Sequence, residues 1–258
     1  MIIEGMIFPV ISLIVLSAVI LMEIQASRRG KTAQIRHLTS LNAIDESIGR
    51  AVEMGRPVHF SAGVGNLTVR GAPVTLASLS FLSHIAETCA RYDCKLVVTV
   101  AQGDVYAASD EIMKQAYLRA GKPEMYTPDM LRFLSVIQYV YAGGVVGTIN
   151  REKASANFMI GHYANEALFI AEEAHQAGCV QVAGTTNEYQ IPFFVAACDY
   201  VLIGEEIFAA AAQLSGDQSE LGAITGQDFA KVLAIGLCIA GSILATFNID
   251  FLIKLMSK

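Results

Sequence analysis

Two long uncharged apolar runs, one near each end of the chain, constrain everything between them. The first is "MIFPVISLIVLSAVILM", residues 6–22. It sits near the lower length limit for crossing a hydrocarbon core about 30 Å thick. The second is "VLAIGLCIAGSILATFNI", residues 232–249, and it continues toward Ile253 around Asp250. A chain with both runs in lipid must fold the roughly 200 residues between them as one insertion in a hairpin.

A signal peptide would open with positive charge and end at a small-residue cleavage site. Here the start is Met1-Ile2-Ile3-Glu4, and the cations Arg28, Arg29, Lys31 and Arg36 follow the run. Positive charge is retained on the cytoplasmic side. Both termini are therefore expected outside the cell membrane, with the segment between the spans in the cytoplasm. Lys254 and Lys258 pull the other way, but two lysines oppose a cluster of four cations. A third uncharged run, residues 133–149, carries Gln138, two tyrosines and three glycines. It belongs to the alternating pattern described next rather than to the membrane.

Hydrophobic residues make up 53% of the 258 and charged residues 16%. Mean hydropathy is +0.47, which fits a chain with membrane segments. Net charge is −6 and tryptophan is absent. Neither a basic field nor a base-stacking surface is available, so nucleic acid is excluded as a partner. The five cysteines, Cys89, Cys94, Cys179, Cys198 and Cys238, are odd in number and form no CxxC. They read as reduced thiols rather than a disulfide framework.

Between the spans, short apolar runs alternate with helical ones. The strands are "PVHFSA", "KLVVTV", "LRFLS", "ANFMIG", "CVQVAG" and "YVLIG". Helices are expected near 75–92, 104–120, 136–151, 163–177, 187–197 and 205–214. This pattern predicts a doubly wound α/β fold, with a mostly parallel sheet of about six strands inserted between two transmembrane helices. The expected divisions are a first span over 1–24, a juxtamembrane helix over 25–56, the α/β domain over 57–215, a glycine-containing linker over 216–230, and a second span and tail over 231–258. The stripe Leu38, Leu41, Ile44, Ile48 and Val52 gives the juxtamembrane helix one apolar face. Gly143, Gly144 and Gly147 are read as close packing of a helix on the sheet. Gly236 with Ala240, and Gly241 with Ala245, give the second span small-residue faces that admit close helix contact.

Ligands of open parallel sheets bind at the carboxyl ends of the strands. Here that edge is "SAGVGN", "AQGD", "SVIQ", "GHYANE", "GTTNEYQ" and "GEE". These loops hold no lysine or arginine. The ligand-binding candidates on them are Asn66, Asp104, His162, Glu166, Thr185, Thr186 and Glu188. A phosphate site needs backbone amides and a positive charge or metal. "GVGNLT" lacks the Walker lysine, and no full GxGxxG is present. No HExxH or paired-aspartate spacing supports a metal, so neither a cofactor nor a metal is expected. The acids also suit helix starts, where the dipole favours negative charge. There is no GxSxG elbow, and only His162 is a base within reach of the edge hydroxyls. His59 falls inside a strand, and His84 and His175 fall inside helices.

The segments "LTSLNAIDESIGRAVEMGRPVHFSAG", "GKPEMYTPDMLRFLS", "INREKASANFMIG" and "QIPFFVAACDYVLIGEE" resemble an uncharacterised prokaryotic family of two-span membrane proteins that carry a domain of unknown function. The resemblance implies the topology above and no activity. The function expected is a non-catalytic membrane-anchored scaffold that assembles with itself, its partners being the lipid bilayer and further copies of the chain. The alternative is a small-ligand sensor or enzyme using the acidic edge.

Overall fold

A computed structural model describes residues 7–29, 38–69 and 71–246. Two compact units emerge. One joins the ends of the chain, 1–35 with 216–258, and the other is 36–215. Lys31 and Arg36 of the cation cluster, and the end of the second run from Ile249 through Asp250, Ile253, Lys254 and Lys258, lie outside the described residues.

In the first unit, α1 (Ile7–Arg28) packs against α9 (Gln218–Thr246). Each contains a stretch long and apolar enough to cross a membrane, Val10–Arg28 and Gln218–Ile243. Their outer surfaces carry Leu13, Ile14, Met22, Val232, Ile235 and Ile239, all exposed. The contact is made where α9 has no side chains. A Cβ at Gly222 would stand 2.7 Å from the Ile24 Cα, and one at Gly226 would stand 2.9 Å from the Ile20 Cα. This spacing of four residues lets the backbones approach closely. The pairing is closed by Ser27 Oγ donating to Gln218 Oε1 at 3.3 Å and Arg28 Nε donating to Ser219 Oγ at 2.9 Å. The glycines at 222 and 226 therefore belong to a helix, and the linker expected over 216–230 is helical from Gln218 onward. Helix contact overrides the weak propensity of these glycines. Gly236 meets nothing within 4 Å, and the side chain of Ala245 lies outside the described residues.

The second unit opens with α2 (Thr39–Met54), inside the juxtamembrane helix expected over 25–56, whose residues 25–28 belong to α1 instead. Gly55 ends it in the left-handed conformation, its N–H bonded to the last turn. Ile44 and Ile48 are fully buried in the domain core, while Val52 is exposed. Six strands follow with helices between them: β1 (Val58–Gly63), α3 (Ala72–Arg91), β2 (Leu96–Val100), α4 (Gly103–Arg119), β3 (Leu131–Phe133), α5 (Gln138–Glu152), β4 (Ala156–His162), α6 (Glu166–Gln176), β5 (Val180–Thr185), α7 (Ile191–Ala197), β6 (Tyr200–Ile203) and α8 (Glu206–Ser215). All neighbouring strands are parallel, in the order β3-β2-β1-β4-β5-β6. This is the doubly wound fold predicted from the alternation, and the order reverses between β1 and β4.

Side chains alternate across the sheet. Phe60, Val98, Phe158 and Val182 face a core shared with α2, α3, α4 and α8. Met159 and Ala183 face a second core with α5, α6 and α7. The edge strand β3 is only three residues long. It is held by Glu152, which accepts from Lys95 at 2.8 Å and Arg132 at 2.6 Å. Charge on a short edge strand discourages pairing with another sheet. Of the Gly143–Gly147 cluster, expected to pack on the sheet, only Gly144 makes a tight contact, just past the end of β3. Gly144 abuts the Leu134 side chain, and a Cβ at Gly143 would meet nothing. The sheet-facing side of α5 is instead Tyr141, Ala142, Val145 and Ile149. These residues recur at helical spacing and so share one face of α5.

Leucine at 222 or 226 should force α1 and α9 apart, at a cost of about 2 kcal/mol from overpacking. Disulfide trapping between Ser27→Cys and Gln218→Cys reads the pairing. Gly222→Leu and Gly226→Leu are expected to slow trapping at least tenfold, and Gly236→Leu to leave it unchanged.

Candidate functional site

Parallel strands place their carboxyl ends on one edge, and β1 and β4 meet there at the point where strand order reverses. In folds of this order a crevice opens at that point. Here it is closed. The register slips between Ser61 and Gly63, and Gly63 pairs with His162. Gly63 and Gly161 both have positive φ, 78° and 154°. A Cβ at Gly63 would collide with the His162 carbonyl, and one at Gly161 would collide with that of Ala62. Only glycine permits so close an approach. Val64 N then donates to His162 O at 2.9 Å and seals the seam.

The candidate side chains at this edge serve their own backbone. Asn66 Oδ1 accepts from Thr68 N and Val69 N, forming a local turn. Asp104 Oδ2 accepts from Leu67 N at 2.8 Å, and its other oxygen accepts from Val105 N. It thereby ties the loop after β1 to the start of α4. His162 lies against Gly71, where any Cβ would strike its ring. Glu166 is fully buried at the first residue of α6. It accepts from Ala164 N at 3.0 Å and from Gln138 Nε2 at 2.6 Å. Thr185 is buried, and its hydroxyl accepts from Asn187 N at 3.2 Å. Asn187 Nδ2 in turn donates to Tyr163 O, so the loop after β5 lies beside the loop after β4. Thr186 and Glu188 are exposed. Pro192 lies in the first turn of α7, as its fixed φ favours.

Beneath the edge lies a buried polar system on the α5–α7 face of the sheet. His59, Asn157 and Gln181 stand side by side across β1, β4 and β5. Gln181 Nε2 donates to the carbonyls of Ala171 and Ala197, so its Oε1 is an acceptor. Asn157 Nδ2 donates to that oxygen at 3.0 Å. Asn157 Oδ1 therefore accepts from His59 Nδ1–H at 2.7 Å, and His59 Nε2 accepts from the Thr99 hydroxyl at 2.9 Å. The two carbonyls fix the direction of every bond and the tautomer of the imidazole. Burial pushes the imidazole down to about 4, so the ring is neutral.

A second cluster sits one pleat further along. Tyr163 Oη lies 2.7 Å from Ser61 Oγ, and Tyr141 Oη lies 2.6 Å from the same atom. Tyr141 Oη also donates to Thr99 O. Burial raises both phenols, Tyr141 to about 12, so they stay protonated and act as donors. Ser61 has no activating base. Its partners are the two phenols, and both nitrogens of His59 are bonded to Asn157 and Thr99. Among the described residues no group of three or more His, Cys, Asp or Glu is placed to hold a metal ion. Two grooves lie elsewhere on the domain. One of about 530 Å³ is lined by Ser83, His84, Glu87 and Arg119, and one of about 270 Å³ by Arg50, Asp199 and Tyr200. Gln138, Tyr141 and Tyr163 are absent from the sequence-based candidates. Nothing in their spacing marks them, because the loops and helix that bring them together are separated by more than twenty residues.

The chain belongs to a family described as a domain of unknown function, DUF6754, whose model matches residues 3–256. The match takes in both apolar helices and the whole α/β unit. No curated protein and no solved structure matches the chain.

The polar row makes stability depend on pH. His59 binds its proton more weakly folded, near 4, than unfolded, near its ordinary 6.5. The unfolded chain therefore takes up the proton first as pH falls. Stability is full above pH 6.5, declines below it and levels off under pH 4. The loss between pH 6.5 and 5 is about 2 kcal/mol. Denaturant unfolding of the α/β unit within the full chain should show this slope, and His59→Gln should flatten it.

Proposed function

We propose that this protein is a membrane-anchored assembly module. In this reading the hairpin of α1 and α9 lies in the cell membrane, both termini face outside, and the α/β domain works in the cytoplasm by self-association rather than by turnover. The observation that carries it is the tight contact of β1 with β4 at the carboxyl edge. In this topology a substrate would enter between β1 and β4, and there the two backbones are in contact. The hydroxyls and carboxylates that chemistry would draw on are bonded to the protein's own amides. Small-ligand binding at the acidic edge has less support: of the candidates Asp104, Thr186 and Glu188 are exposed, and Asp104 is already bonded to two backbone amides.

The orientation rests on the cation cluster that follows the first apolar run. Association through the membrane helices is supported by their exposed apolar surfaces and by Gly236, where a neighbouring helix has room to approach. Packing drives helix association in lipid, and small residues permit it. Closed homo-oligomers are also the commonest assemblies of a single chain type.

Light scattering of the full chain in mild detergent tests this. The expected mass is a multiple of one chain at several detergent concentrations, and Gly236→Leu combined with Gly241→Leu is expected to lower it. A monomer under every condition contradicts the proposal.

A further inference from the structure

We propose that the α/β domain docks a second copy of this chain face to face, through the exposed apolar surface at the first turns of α5, α6 and α7. This rests on the assembly reading above and adds an interface outside the membrane helices. The surface carries Ile137, Tyr139, Val140, Phe169, Tyr189 and Phe193, of which Tyr189 is 79% exposed and Phe169 63%. It is continuous. α5 packs on α6 and α6 on α7. Gln138 and Glu166 bond the first turns of α5 and α6, and Asn187 bonds the loop before α7 to Tyr163 before α6. The six residues expose on the order of 800 Å², matching the roughly 800 Å² that each partner contributes to a standard interface. A typical monomer's largest apolar patch is smaller, about 300–600 Å².

Charge selects the occupant. A face-to-face contact sets this surface opposite its own copy, so in a chain of net charge −6 a face with few acids suits self-docking. Residues 133–150, which supply the α5 part, contain no charged side chain. Glu166 is buried beneath the surface, Glu188 is the one acid in the loop before α7, and Glu172, one turn past Phe169, stands at the rim. A face that adsorbs on anionic lipid carries lysine and arginine beside its apolar residues. This one carries neither. Aromatic residues supply much of the surface, as in the centres of protein interfaces.

Two readouts on the full chain in mild detergent test the proposal. Val140→Lys with Phe169→Lys should raise the dilution midpoint of self-association at least tenfold, while Leu118→Lys, an exposed position on α4, leaves it unchanged. In a Cys238→Ala background, Gly143→Cys should form a disulfide-linked dimer under mild oxidation and Leu118→Cys should not. Gly143 is chosen because a side chain there meets nothing within its own chain. Unchanged association with no Gly143→Cys dimer overturns the proposal. If Gly236→Leu alone then lowers the mass, assembly through the membrane helices stands without this interface. If the lysine pair instead abolishes binding to phosphatidylcholine vesicles at constant mass, the face belongs to the bilayer and the proposal falls. Should the lysine pair unfold the domain, the cysteine result decides. A monomeric wild type removes both this interface and the assembly reading.

Discussion

The close contact of β1 with β4 governs the structure. These are the central strands, and their order reversal would ordinarily leave a crevice. Gly63 and Gly161 replace it with two touching backbones, and Val64 N fixes the contact on the His162 carbonyl. Three features follow from that seam. His162 is drawn against Gly71, which orders the loop after β1. Tyr163 is brought over Ser61. Loops of the carboxyl edge are bonded to one another, Leu67 to Asp104 and Asn187 to Tyr163.

The polar row below the seam adds specificity. Four polar side chains in the middle of a sheet would cost about 1–3 kcal/mol each if left without partners. Here every donor and acceptor along the row has one, in a single direction from Thr99 to the carbonyls of α6 and α7. A one-residue slip of β1 or β4 would turn His59 or Asn157 into the opposite, apolar core and break the row at once. The row therefore fixes strand register where hydrophobic burial on both faces specifies it weakly.

Much of the fold was legible in the sequence, because buried strands and amphipathic helices differ in length and period. Strand order was not, since it depends on contacts between distant segments. The helical start of α9 was missed for a definite reason. Gly222 and Gly226 read locally as breakers, and only the facing Ile20 and Ile24 make them contact residues. Gly143 and Gly144 show the converse, since a glycine pair does not reveal which member packs. At the edge, Thr185 was legible as a hydroxyl at a strand's carboxyl end, and Glu166 as an acid suited to a helix start. The partners of Glu166 were not, because Gln138 is 28 residues away. The polar row left a trace in the sequence: His59, Thr99, Asn157 and Gln181 interrupt four apolar strands at positions sharing one face.

Loops bonded to one another at the carboxyl edge, and an apolar face at the first turns of α5, α6 and α7, describe a domain whose edge polar groups are directed inward. The account depends on the seam staying closed in solution. Hydrogen–deuterium exchange of the full chain in detergent measures this at the amides of Val64 and residues 161–163. The account predicts protection equal to that of β1 and β4 themselves, lost only on global unfolding. Exchange at Val64 as fast as in the exposed loop of residues 186–189, while the strands stay protected, would show a crevice that opens and would contradict it.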